Sequence, residues 1–238
     1  MELDSLDRKT RKLMTIHYAL RPRSDVDRLY LPRKLDGRGL LQVKQTVEEE
    51  KHALADYVKN STETSLLEVK NREVFKVKQT KGQYRKTTMQ IRADSWHNKA
   101  LHGQFLEKIK GKVDEEKTWL WLTKGTLKKE TEALIFAVQE QAIRKNAVKA
   151  RIEKSAESPT CDSRVTEKQL ENITRYQDLK IELQRLWHKL VQVVPVIIGT
   201  LGAVLKELSK YLEEIGVDKV TISQLQKAAL LGSAHIIY

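Results

Sequence analysis

LDSLDRKTRKLMTIHYAL, residues 3–20, carries apolar side chains at Leu3, Leu6, Leu13, Ile16 and Leu20. Spacings near three, four and seven place these residues on one stripe of an α-helix. Arg8, Lys9, Arg11 and Lys12 wrap the remaining surface. Pro22 lacks a backbone donor, so the helix is expected to end at Arg21-Pro22. A structured loop should come next, through Pro32 to the turn Asp36-Gly37-Arg38-Gly39.

Glycine and proline are scarce, which favours helices throughout. A second helix is expected with Val43, Val47, Leu54, Tyr57 and Val58 on its apolar side. Residues 61 to about 110 read as two more, the latter basic and carrying Tyr84, Met89, Ile91 and Trp96. Asp114–Lys124, with Trp119 and Trp121, is a short helix stopped near Gly125, and from Leu127 a stripe through Leu134, Val138 and Ile143 extends toward Lys154. Ser155–Ser163, with Pro159 and the lone Cys161, is the linker candidate. Beyond it, one helix from Glu167 to Trp187 should bury Leu170, Ile173, Tyr176, Leu179, Leu183 and Leu186 in a continuous face. A β-branched run, Val191–Ile198, reads as a strand, followed by Gly199, Gly202 and a helix over Val204–Ile215; Thr221–Tyr238 adds a final helix or a short edge. A single strand builds no sheet, so this small α/β unit is expected to be incomplete. The fold class is therefore mainly α: a helical array followed by an incomplete α/β unit.

Charge points to a partner. Residues 161–238 hold 10 Lys and Arg against 9 Asp and Glu, whereas the residues before them hold 34 against 23. An excess concentrated in one part suits a polyanion, whose phosphates release counterions on binding. The competing reading is the solvated surface of helices rich in Lys and Glu. One cysteine excludes an internal disulfide and fits a reducing compartment. The first 20 residues lack the apolar run of a signal peptide, and Val193–Ile198 is too short to span a bilayer. A nuclear or cytoplasmic location is expected, with no membrane partner.

Three strings are distinctive beyond their periodicity. DSLDRKTRKLMTIHYALRPRSDVDRLYLPRKLDGRGLL, residues 4–41, resembles the thumb that follows the polymerase palm in non-long-terminal-repeat retrotransposons of the restriction-like-endonuclease class. WLWLTKGTLKKETEALIFAVQEQAIRKNAVKARIEKSAESPTC, residues 119–161, is similar to the helical linker before the zinc knuckle of those polyproteins. ITRYQDLKIELQRLW, residues 173–187, together with the segment beyond it, resembles the end of their endonuclease. The resemblance implies a thumb-like region over 1–60, a helical linker region over 61–158, a linker and deletion junction over 159–163, and an endonuclease remnant over 164–238.

The chemistry of that family does not survive residue by residue. A polymerase palm clamps two metal ions with paired carboxylates, and the sequence has no Asp-Asp pair. The resemblance begins at the thumb, so polymerisation is not expected. Cys161 resembles the first ligand of the family's knuckle, but Arg164 stands where the second would be, so no zinc is expected. No Pro-Asp dipeptide marks a nuclease; Tyr176 matches the family's helix tyrosine, but Asn172 replaces the lysine four residues before it. Glu68-Val69-Lys70 and Glu115-Glu116-Lys117 are triplets that a chain with 32% charged residues shows by chance. No phosphate loop or hydrolase motif is found, and Gly199-Thr200-Leu201-Gly202 reads as a turn. No catalytic residue, metal or cofactor is therefore expected, a residual metal-dependent nuclease being the enzymatic alternative.

The surviving candidate is a basic surface. Arg8, Lys9, Arg11, Lys12, Arg21, Arg23, Arg28, Arg33, Lys34 and Arg38 fall within residues 8–38, and Lys78, Lys81, Arg85 and Lys86 surround Tyr84 in a second basic stretch. The family's thumb lies along a template-primer duplex, and guanidinium forks suit phosphate oxygens. Without a base-reading pattern, RNA or DNA would be held through its backbone. Alternatively Arg28 and Arg38 pair with Asp25, Asp27 and Asp36 to brace the loop, and Trp96, Trp119, Trp121 and Trp187 anchor cores rather than stack on bases. Rival expectations are a helical module that pairs with itself or with an intact element protein, or a decaying copy without function.

Overall fold

The computed structural model describes residues 2–67, 69, 70, 72, 76–143, 162, 164–217 and 221–237. Among them the chain is mainly α, as expected, with thirteen α-helices and no named strand. Two compact units emerge: Met1–His17 with Asp25–Asn98, and Tyr18–Ser24 with Lys99–Tyr238.

In the first unit, α1 (Glu2–Ile16), α2 (Val26–Tyr30), a 3-10 turn η1 (Arg33–Leu35), α3 (Val43–Asn60), α4 (Thr64–Leu67) and α5 (Lys81–His97) succeed one another. Helix α3 packs on both α1 and α5, and α5 also packs on α2. The start of α3 has no side-chain cap of its own. Asp7 of α1 supplies one: its buried carboxylate accepts the Val43 N–H at 2.8 Å and the Lys44 N–H at 3.3 Å. A carboxylate at this end also meets the positive pole of the helix. Helix α5 opens with a capping box, in which Thr80 and Gln83 each accept the other's backbone N–H.

The loop after α2 folds back onto it, with Arg38, Gly39 and Leu40 donating to the carbonyls of Arg28, Leu31 and Leu29. A Cβ on Gly37 would sit 2.0 Å from the Leu31 carbonyl oxygen, so only glycine fits there.

Two apolar stripes face differently from their expected direction. On α1, Leu6, Leu13 and Ile16 are exposed while Asp7 is buried; the helix ends at Ile16, and Leu20 is buried outside it. On α3, Leu54 and Tyr57 are exposed, and the packed side carries Gln45, Ala55 and Val58. The reason is polar: Asp56 accepts the Lys81 N–H at 3.0 Å and His52 stacks on Tyr84 at 4.4 Å. These contacts turn α3 toward α5.

The second unit contains α6 (Gln104–Ile109), α7 (Glu115–Thr118), α8 (Leu120–Lys124), α9 (Lys129–Gln139), α10 (Val165–Arg175), α11 (Gln177–Trp187), α12 (Leu208–Glu214) and α13 (Thr221–Ile237). Helix α9 is buried from Glu132 to Gln139, which makes it the central element. Trp119 and Trp121 join Phe136, Leu205, Leu208 and Leu230 in the core. The expected continuation past Ile143 toward Lys154 lies outside the described residues, as does Cys161.

Residues 199–204 form a buried loop whose polar groups are satisfied from distant segments. Asp162, in the segment expected to be a linker, is nearly fully buried there. It accepts N–H groups from Leu201 and Ala203 and the Thr200 hydroxyl, all within about 3.1 Å. Thr118 accepts the Val204 N–H, Gln139 donates to Leu201, and Gln226 donates to Lys117, Thr118 and Gly202. The expected strand over Val191–Ile198 does not form; only single bridges, Ile198 with Val204 and Val113 with Leu205, are present among the described residues. Pro195 interrupts that run by removing a ladder donor. The expected single helix over Glu167–Trp187 breaks at Tyr176 into α10 and α11. Its supposed buried face is exposed at Leu170, Tyr176, Leu179 and Leu186, and Trp187 is exposed rather than a core anchor.

Candidate nucleic-acid interface

Packing sorts the fourteen basic candidates. On α1, Arg8, Lys9 and Lys12 are exposed. Positions i, i+1 and i+4 span about 100° of helical arc, so the three cations share the side turned away from Asp7 and α3. No described residue is a hydrogen-bond or ion-pair partner of Lys9 or Lys12. Arg11 is half-buried and donates to the Tyr30 hydroxyl at 2.8 Å, with its guanidinium 5.9 Å from that ring. It braces α1 against α2.

Arg28 cannot serve a phosphate. Only 1% of it is exposed. Its Nε donates to the Asp36 carbonyl at 3.0 Å, its guanidinium stacks 4.4 Å from the Trp96 ring, and its N–H is capped by Asp25. The bracing alternative holds for this arginine, because a buried fork that fixes a loop is unavailable to an outside anion. Arg33 and Arg38 are half-buried and already engaged, while Lys34 is exposed on η1. Arg21, half-buried and engaged, and Arg23, exposed, belong to the second unit.

In the second stretch, Lys78, Arg85 and Lys86 are exposed, with no Asp or Glu between Lys76 and Arg92. Lys81 is paired with Glu50 at 2.7 Å. Tyr84 gives one face to His52, which weakens its expected role as a free stacking ring. Arg92, which periodicity does not single out, lies 5.2 Å from the Tyr30 ring and donates to Gln42. Burial pushes its pKa down, opposed by Asp27 and by Tyr30. On α1, the hydrogen bond from Lys44 holds the Asp4 carboxyl below its ordinary pKa.

Among the described residues no group of three or more His, Cys, Asp or Glu is placed to hold a metal. Asn172 is half-buried in α10 and Tyr176 is exposed at the break after it. Among those residues no helix is long and apolar enough to cross a membrane.

Fold and site together describe a helical protein with an exposed cationic helix face. Comparisons of the chain with protein-family models, curated proteins and solved structures found no match.

Proposed function

We propose that this chain is a non-catalytic, retrotransposon-derived protein that binds RNA or DNA without regard to sequence, through the exposed cations of its first unit. The observation that carries the reading is α1. Of its three acidic side chains, Asp7 is turned inward to cap α3 and Asp4 pairs with Lys44, while Arg8, Lys9 and Lys12 lie on the outer face. Lys34, Lys78, Arg85 and Lys86 add exposed charge elsewhere in the same unit. Support also comes from the resemblance of residues 4–41 to a polymerase thumb. A nuclear or cytoplasmic setting goes with such a ligand.

Arg11, Arg28 and Lys81 take structural rather than binding roles, on their contacts with Tyr30, Trp96 and Glu50. Retention of two unrelated duplexes of equal length on filters, at two salt concentrations, tests the reading. Equal affinities that both weaken steeply with salt are expected. A preference between sequences, or binding indifferent to salt, would contradict it.

A further inference from the structure

Among the described elements of the second unit, helix α11 is the least buried. None of its residues is buried. Among the described residues its substantial packing partner is α10, the helix beside it in the chain. Isolated helices shorter than about 12–15 residues are marginal in water, so an 11-residue helix with an unburied apolar face is unfinished on its own. Tyr176, Leu179, Leu183, Leu186 and Trp187 recur at three and four, on one side of that helix. Leu186 is 71% exposed and Leu190, just beyond the helix, 92%.

We propose that this face is a self-association surface, covered by the same face of a second copy of the chain. Two observations select that occupant. The first is charge. Between Arg164 and Trp187, five Lys and Arg alternate in sign with four Asp and Glu, and three pairs close within this stretch: Arg164–Glu167 and Lys168–Glu171 at 2.7 Å, and Arg185–Glu182 at 3.1 Å. A balanced surface offers little to a polyanion and does not repel its own copy. The second is area. Tyr176, Leu179, Leu186 and Trp187 are 46%, 54%, 71% and 58% exposed, on the order of 500 Å² per copy, the size of a weak, reversible interface. A two-fold axis sets such a patch against itself.

Sedimentation equilibrium of the full chain, nuclease-treated and in about 0.5 M salt so that nucleic acid cannot bridge copies, tests the proposal. A reversible dimer is expected, weakened at least about tenfold by Leu179→Glu with Leu186→Glu. Hydrogen exchange should show amides 177–187 gaining protection with concentration in the parent chain but not in that variant. Arg8→Gln with Lys9→Gln and Lys12→Gln should leave the dimer intact, which separates this surface from the nucleic-acid reading. A monomer at about 100 μM, or a dimer untouched by the two glutamates, would overturn the proposal.

Discussion

Asp162 shows what single residues do in this fold. Burial pushes its carboxyl up to about 6, against hydrogen bonds from Leu201, Ala203 and Thr200 that pull it down. The folded value lies above the ordinary 3.8, so the folded state holds this proton more tightly than the unfolded chain. The resulting stability is fully present below about pH 4 and is lost as pH rises through about 6, a change of about 3 kcal/mol. As far as this group is concerned, calorimetry should find the second unit melting at a higher temperature at about pH 4.5 than at about pH 7.5. Asp162→Asn should flatten that difference and cost about 1–3 kcal/mol at neutral pH, because its amide NH₂ would face backbone donors. An unchanged pH profile in the variant would remove Asp162 from this role. Nothing around Cys161 and Asp162 in the sequence signals such burial, since the donors come from residues 200–203, far along the chain. Arg28 is half legible: the sequence leaves both a phosphate contact and a loop brace open, and the Asp36 carbonyl and the Trp96 ring packed on it favour the brace.

Elements are legible where chemistry is local and opaque where neighbours decide. Spacing alone predicts helices over residues 3–20, 43–58, 114–124 and 204–215; α1, α3, α7 with α8, and α12 form within those stretches, α1 ending early at Ile16 and α12 starting late at Leu208. Periodicity says that a helix forms, not which element covers its stripe. Leu6, Leu13 and Ile16 share a face, yet α1 packs through Asp7, whose carboxylate caps the start of α3. The contribution of that cap is measurable. Asp7→Ala should destabilise the first unit by about 1–2 kcal/mol in denaturant unfolding, through loss of the bonds to Val43 and Lys44. Asp7→Asn, which keeps one acceptor, should cost less. An alanine variant as stable as the parent would mean that the cap contributes nothing. The strand expected at Val191–Ile198 fails for a reason visible in the sequence: Pro195 lies within it. The break at Tyr176 has no comparable signal.

At the scale of the whole molecule, each unit combines a packed interior with a surface, among its described residues, for which a partner is proposed. In the first unit the proposed surface is the cationic side of α1; in the second it is the apolar side of α11. On the proposed reading, such a molecule binds a polyanion with one part and pairs through the other, without needing an assembled catalytic centre. The most direct test of the central claim is the salt dependence of binding to a labelled duplex, measured for the parent chain and for Arg8→Gln/Lys9→Gln/Lys12→Gln. With about five or six phosphates engaged, the parent should give a log-log slope of roughly −4.5 to −5.5, and the triple variant one shallower by about 2–3 at unchanged thermal stability. Binding that is absent at low salt, or a slope the triple variant leaves unchanged, would contradict the assignment of α1 as the nucleic-acid face.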